Sequence, residues 1–292
     1  MLHEDLNSLL HWAKINNMEM HEDKFVYINF NCRTRNFHLS VLPFYEDLLK
    51  YHISKDGVLE PSPQVKDLGI TFTPNLSWSA HISNLTSAAK KKAGWALSSF
   101  QDRSPTTMLT LYKSLIRSRV EYGCPLWYGL SLTETRDLEA IQRSFTNKII
   151  CPPYVTNYWD RLEFLHLMSL QRRRERYIII FMWKVYYCKV SNDLEICFNE
   201  NARLGPRATI PPLVSSSSGK AQTLFDNSFS VKGPQLWNIV PKDIKLIVKL
   251  ELFKIHLDKW LLKFPDRPPV YGYIAQNNNS VLEWYSSHMD SS

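Results

Sequence analysis

The stretch WSAHISNLTSAAKKKAGWALSSF, residues 78–100, decides the fold class of this chain. Trp78, Ile82, Leu85, Ala89, Ala93, Ala96 and Phe100 recur every three or four residues, the step that lines one face of an α-helix. Lys90 and Lys91 lie off that stripe, and Lys92 extends the basic run. Asn75-Leu-Ser77 offers a cap just upstream.

The same period continues toward the C-terminus. Ser104-Pro105 signals a helix start, followed by the stripe Leu109, Tyr112, Ile116 and Val120, with Lys113 and Arg117 together on another face. Gly123-Cys-Pro125 stops that helix. The spacing predicts a helix over Thr133 to Ile150, with Leu138, Ile141, Phe145 and Ile149 inside and Arg136 and Arg143 on a common face. It predicts a short helix over Trp159 to Leu167. A longer one follows from Ser169 to Val190, opening on the basic block Gln171-Arg-Arg-Arg-Glu-Arg176. Past residue 200, Gly205-Pro206, Pro211-Pro212 and Ser215 to Gly219 mark loops. Residues 221–240 read as short strands turning at Lys232-Gly-Pro234. Ile244, Ile247, Leu250, Phe253, Leu257 and Leu261 predict one last helix over Lys242 to Lys263, and residues 265–292 read as a flexible tail.

Toward the N-terminus, Leu6, Leu9, Leu10 and Ala13 predict an amphipathic helix over residues 5–16, with Trp12 beside the stripe. Met18 to Met20 and Phe25 to Phe30 read as two short strands around a turn at His21 to Lys24. Residues 31–63 hold three prolines and read as irregular. Val65 to Thr73 reads as a strand around Gly69, ended by Pro74. The fold class that follows is α+β, mostly α.

Composition narrows the function classes. The chain has 292 residues and is 44% hydrophobic, enough for a sizeable core and against wholesale disorder. Its most apolar run, Tyr177 to Tyr187, is about half the ~20 residues a membrane helix needs and contains Lys184. The five scattered cysteines form no C-x-x-C pair, which suits a reduced, intracellular protein, nucleus or cytoplasm left open. The net charge of +7 is segregated. Residues 1–76 carry −3, residues 77–190 carry +9 and residues 191–292 carry +1. Positive charge gathered in one segment suggests a polyanionic partner, nucleic acid before membrane. A solvated basic helical surface accounts for the same charge.

The standard catalytic signatures are absent: no P-loop, no dinucleotide fingerprint, no nucleophile elbow and no zinc-helix motif. Ser87-Ala-Ala-Lys90 spells S-x-x-K, but it lies in an apolar-striped helix and needs no function. No Asp-Asp pair stands anywhere in the chain. Two features remain. One is the set of basic helix faces: Lys90, Lys91 and Lys92; Lys113 and Arg117; Arg136 and Arg143; Arg172, Arg173, Arg174 and Arg176. Cations on rigid helices can track a phosphate backbone and release its counterions. The other is Lys24, which in its turn could donate a proton or hold a phosphate; a solvated turn lysine is the ordinary alternative.

Asp5-Leu-Asn-Ser-Leu-Leu-His-Trp12, then Met18, Met20, Lys24 and Phe30, resembles the segment after the catalytic aspartate pair in the reverse transcriptases of non-LTR (LINE-type, jockey-like) retrotransposons. Val65-Lys-Asp-Leu-Gly-Ile70, Leu76-Ser-Trp78 and His81-Ile82 resemble the next signature. Tyr112, Leu115-Ile116, Ser118, Val120-Glu-Tyr-Gly123, Trp127, Leu138 and Ile141-Gln-Arg143 continue the match, as do Arg161-Leu162, Leu165, Leu167, Ser169-Leu170 and Arg172-Arg173. Phe229-Ser230, Gly233, Leu236-Trp-Asn238, Pro241 and Phe253-Lys254 close it, so the resemblance spans roughly residues 5–264.

The resemblance implies four regions. Residues 1–76 would be the rear of an incomplete palm, 77–190 a helical thumb and extension, 191–264 a C-terminal strand and helix region, and 265–292 a tail. It implies that Lys24 protonates the departing pyrophosphate. Lys66 to Ile70, Gly69 included, would be the strand that grips the primer end. It implies an RNA template and a DNA primer as partners, with the missing palm and fingers of the parent polymerase. Polymerisation uses two metal ions held by carboxylates. The family places those aspartates upstream of the segment beginning at Asp5, so magnesium is expected only in the complete polymerase. This chain is then a truncated polymerase expected to bind nucleic acid rather than to polymerise alone. A protein-interaction remnant and a non-functional retroelement copy are the alternative readings.

Overall fold

The computed structural model describes residues 2–19, 26, 28, 30, 51–52, 58–59, 62–155, 157–193, 195–199, 201, 206–209, 225–267 and 280–289. These are mostly helical, with a few short antiparallel strand pairs. The chain divides into two compact units, Met1–His81 and Ile82–Ser292.

The first unit holds helix α1, Leu2–Ile15, and two small ladders. Strands β1 (Tyr51–His52) and β2 (Val58–Leu59) pair within the segment expected to be irregular. The strand expected over Val65 to Thr73 is a hairpin instead. Its arms are β3 (Val65–Asp67) and β4 (Ile70–Phe72), paired Val65 to Phe72 and Asp67 to Ile70. Leu68 (φ 44°) and Gly69 (φ 86°) form its two-residue turn, whose left-handed backbone matches strand twist. A single-strand reading missed the turn because leucine, unlike glycine, rarely occupies that region. His81 packs beneath β4: its Nδ1 accepts from Thr71 N at 3.3 Å. Burial, then the charge of Lys66, lowers its pKa. The strands expected around His21 to Lys24 fall almost wholly outside the described residues.

Helix α2, Ser79–Ser99, runs from the first unit into the second and buries Ile82, Ala89 and Ala96, as its stripe predicts. Helix α3 follows in three continuous segments: Pro105–Leu111, a π-helical stretch Tyr112–Arg117, and Ser118–Val120. Ser104 starts it without a side-chain cap; its backbone N and hydroxyl both donate to Asp102 at 2.8 Å. Helix α4, Leu132–Thr146, opens on a full capping box between Ser131 and Glu134. Helix α5, Tyr158–Phe164, is capped by Asn157, and helix α6, Leu170–Tyr186, by Ser169. Strands β5 (Phe198–Asn199) and β6 (Arg207–Ala208) pair beyond α6.

The expectation of strands over 221–240 is overturned. Phe229–Ile239 is helix α7, with Pro234 inside it. Proline removes a helical hydrogen bond at a cost of about 3 kcal/mol. Burial of Val231, Leu236 and Trp237 offsets that cost, and Trp237 Nε1 donates to Pro206 O at 3.1 Å. The single helix expected over Lys242 to Lys263 is two: α8, Lys242–Lys245, and α9, Leu250–Leu261. Side chains of α6 take carbonyls at the break. Trp183 Nε1 donates to Ile247 O at 2.8 Å, and the Tyr187 hydroxyl just past α6 donates to Lys245 O at 3.1 Å. Lys245 itself is buried; its Nζ donates to Asn238 O at 3.2 Å, and burial lowers it to about 8. The expected tail also contains structure. Val281–Met289 is helix α10, and Val281 is fully buried.

One core joins α6 through α10 with the β5–β6 pair, so residues on both sides of position 200 fold together. It contains Ile178, Ile179, Met182, Trp183, Trp237, Phe253, Leu257 and Val281. The loop before α4 is tight. A Cβ on Gly129 would lie 2.5 Å from Asn227 Cβ and 2.9 Å from its carbonyl oxygen. Gly129→Ala is therefore expected to lower stability by about 1–3 kcal/mol, read as a reduced midpoint in urea. An unchanged midpoint would mean that the loop moves aside freely.

Candidate nucleic-acid interface

The cationic side chains separate into two groups once the helices are packed. On α2, burial of Ile82, Ala89 and Ala96 turns Lys90 and Lys91 to solvent. Lys92 is half-buried, and its Nζ sits 4.0 Å from the Trp95 ring centroid. Trp95 is 49% exposed and meets Phe100 edge to face at 6.4 Å. Lys113 is exposed on α3. Arg117 is half-buried, 3.8 Å from Glu121, and burial followed by the charge of Arg173 lowers its pKa. Arg136 and Arg143 are half-buried on α4. Lys66 and Gly69 are exposed on the β3–β4 hairpin of the other unit. Lys24 lies outside the described residues.

The basic block at the start of α6 is not the open face that the sequence suggests. Arg172 is 1% exposed. Its Nη1 donates to Leu261 O (2.9 Å) and Phe264 O (3.3 Å), and its Nη2 to Pro265 O (2.8 Å). Arg174 is equally buried and donates to Gln171. Arg173 is bidentate to Glu121, with Nη2 to Oε2 at 2.8 Å, and also meets the Tyr177 hydroxyl at 3.3 Å. Burial alone would lower its pKa, but the Glu121 carboxylate raises it. Arg176 is bidentate to Asp258 on α9. These four cations are tied up inside the protein. Stepping back from the core residue Ile179 by helical intervals reaches Glu175 and Arg172, so the periodicity carried a signal of their burial.

A buried polar network missed by the sequence reading sits behind α4. Glu139, Gln142 and Tyr158 are all buried. The Tyr158 hydroxyl donates a short bond to Glu139 Oε1, and Leu170 N donates to Oε2 at 3.0 Å. Gln142 Nε2 donates to the Tyr158 hydroxyl (2.9 Å) and Met168 O (3.1 Å). Its Oε1 accepts from the Tyr112 hydroxyl at 2.6 Å. The network therefore locks α3, α4, α5 and the start of α6 together. Burial pushes the Glu139 carboxyl up to about 7, against the Tyr158 bond that lowers it. On α6, Glu175 accepts from Val281 N at 2.9 Å, which ties α10 to the same helix.

Among the described residues, no three His, Cys, Asp or Glu side chains gather in a way that could hold a metal ion, and no step is assigned to one. Nor is any helix among them long and apolar enough to cross a membrane. Cys124 is buried, and burial pushes its thiol up to about 12, far from a reactive thiolate.

No protein-family profile matches the chain, and no solved structure matches it. Over 104 residues, 33% of the chain, it is 29% identical to a Drosophila melanogaster protein, the probable RNA-directed DNA polymerase from transposon X-element. The chain covers 12% of that protein's length. Part of this chain is thus distantly similar to a transposon RNA-directed DNA polymerase.

Proposed function

We propose that this chain is the C-terminal part of a non-LTR (LINE-type, jockey-like) retrotransposon reverse transcriptase, comprising the rear of the palm, the thumb and the region after it. It binds the RNA–DNA hybrid of template and primer and does not polymerise alone. The observation that carries the polymerase origin is the distant similarity to the transposon enzyme. Support for binding comes from Lys90, Lys91 and Lys113, exposed cations on two successive helices of a segment carrying +9. Lys92, Arg117, Arg136 and Arg143 flank them in a secondary role. Arg172 and Arg173 are left to structure. Lys66 and Gly69 contact the primer end, and Lys24 acts as proton donor in the parent enzyme. The carboxylates that hold the two metal ions of polymerisation belong to the palm and fingers that partner this chain.

The test is anisotropy titration of a labelled RNA–DNA hybrid at several salt concentrations. Replacing Lys90, Lys91 and Lys113 together by Ala should weaken binding and flatten the log–log salt slope by about 0.9 for each phosphate no longer neutralised. Arg117 is kept, because it lies against Glu121. An unchanged slope sinks the assignment of these lysines. A folded chain that binds no hybrid points instead to a protein-interaction remnant, for which the exposed Leu252, Ile255 and Leu262 of the α9 region offer a surface.

A further inference from the structure

In the second unit, inward-turned arginines find partners. Arg172 has three carbonyls, and Arg173, Arg176 and Arg267 each have a carboxylate. Arg143 on α4 and Arg161 on α5 break that pattern. Both are half-buried. Each has a buried Nε with no hydrogen-bond acceptor among the described residues; Arg174 Nε also has none, but its Nη2 donates to Gln171. Neither has a carboxylate within ion-pair distance among those residues.

Both guanidiniums also lie against one ring. Arg143 Cζ lies 4.8 Å, and Arg161 Cζ 5.9 Å, from the centroid of the Tyr158 ring. That ring is a fixed platform, because its hydroxyl is held by Glu139 and Gln142 and its edge meets Trp159 at 4.9 Å. The ring face offsets part of the positive charge. It supplies no lone pair for the N–H groups. The nearest acid in sequence, Asp160, is already engaged by Arg267 at 2.6 Å.

We propose that Arg143 and Arg161 form an oxyanion seat that takes a phosphate group. Planar guanidinium forks bind phosphate oxygens in pairs, and both forks here stand on packed helices rather than on free loops. The phosphate comes either from a nucleic-acid backbone or from a small phosphate in solution. The backbone source rests on the proposed function; the seat itself does not.

The test compares the full chain with the double variant Arg143→Gln/Arg161→Gln in two assays. Thermal melts are recorded in inorganic phosphate and in chloride of equal ionic strength, and the labelled hybrid is titrated across salt. The seat predicts that phosphate raises the melting temperature of the wild type more than that of the variant, as binding to the folded state requires. A backbone source further predicts hybrid affinity about tenfold lower in the variant and a salt slope flatter by about 0.9, the step for one phosphate. Loss of the phosphate effect with unchanged hybrid binding assigns the seat to small phosphates. If neither readout changes, the seat is overturned, and hybrid binding that still depends on Lys90, Lys91 and Lys113 leaves the proposed function standing. Conversely, a chain that binds no hybrid but shows phosphate protection through these arginines keeps the seat and loses the polymerase reading. Should the double variant fold poorly, Arg143→Lys and Arg161→Lys replace it. They keep the charge and remove the fork, and unchanged phosphate protection in both overturns the seat.

Discussion

Arg172→Ala is expected to lower the unfolding free energy of the second unit by about 3–5 kcal/mol, the range for removing one partner of a buried ionic cluster. The guanidinium satisfies the carbonyls of Leu261, Phe264 and Pro265 at the end of α9. It also lies 3.8 Å from Glu175, whose side chain is fully buried. Removing it takes the guanidinium donor from all three carbonyls, leaving Leu261 O the Phe264 N bond, and removes the cation that lies 3.8 Å from that carboxylate. Burial already raises the Glu175 pKa, and the Arg172 charge is the main influence lowering it. Arg172→Lys should recover only part of the loss, because one ammonium cannot reach three carbonyls in the plane of a fork. Urea unfolding followed by tryptophan fluorescence reads both variants. A loss under about 1 kcal/mol for the alanine variant would show that water replaces the guanidinium, and the clamp would then be dispensable.

The second large effect is a dependence of stability on pH set by Glu139. Its carboxyl is pushed up from an ordinary 4.5 to about 7 by burial. Between those values the folded state holds a proton that the unfolded chain has released. Stability from this group is therefore fully present below the unfolded pKa and is lost as pH rises through about 7. A shift of that size corresponds to about 3 kcal/mol across the window. Glu139→Gln removes the titration while keeping the shape. The stability difference between wild type and variant should then change by about 3 kcal/mol between pH of about 4 and about 8, with the wild type losing ground as pH rises. Glu175 titrates in the same direction and Lys245 in the opposite one, but both are common to the two proteins and cancel in the comparison. A difference that stays flat with pH would place the Glu139 carboxyl near its ordinary value and the network open to water.

Legibility in the sequence followed the range of the interactions involved. Helices α2, α3 and α4 were readable from regular apolar stripes, and Ser104-Pro105 marked where α3 begins. Helices α5 and α6 were placed within a residue or two of their N-terminal ends, and the caps Ser131 and Asn157 came from the structure. The hairpin at Leu68-Gly69 was half readable: its extended character was expected over Val65 to Thr73, but the turn depends on a leucine in a left-handed conformation. Helix α7 was unreadable, because Gly233 and Pro234 argue locally for a turn and only burial of Leu236 and Trp237 reverses that preference. The polar network was hidden for a related reason. Thr135, Glu139, Gln142 and Thr146 step along α4 as a polar stripe, which by itself reads as a solvent face. The structure buries that face as well as the apolar one.

The candidate interface divides in the same way. Lys90, Lys91 and Lys113 were correctly placed outside by the stripes of their own helices, since burying one face of a helix exposes the opposite one. The sequence by itself therefore determined a mostly helical chain with its positive charge gathered in the middle segment and its exposed lysines on successive helices. Only the tertiary structure decided which cations stay outside. Arg172 meets carbonyls some ninety positions along the chain, Arg176 meets Asp258 on another helix, and Arg143 and Arg161 converge on one ring from two helices. A helical period states which residues share a face, but what covers that face is set by packing between distant segments, and an arginine's role depends on what it finds there.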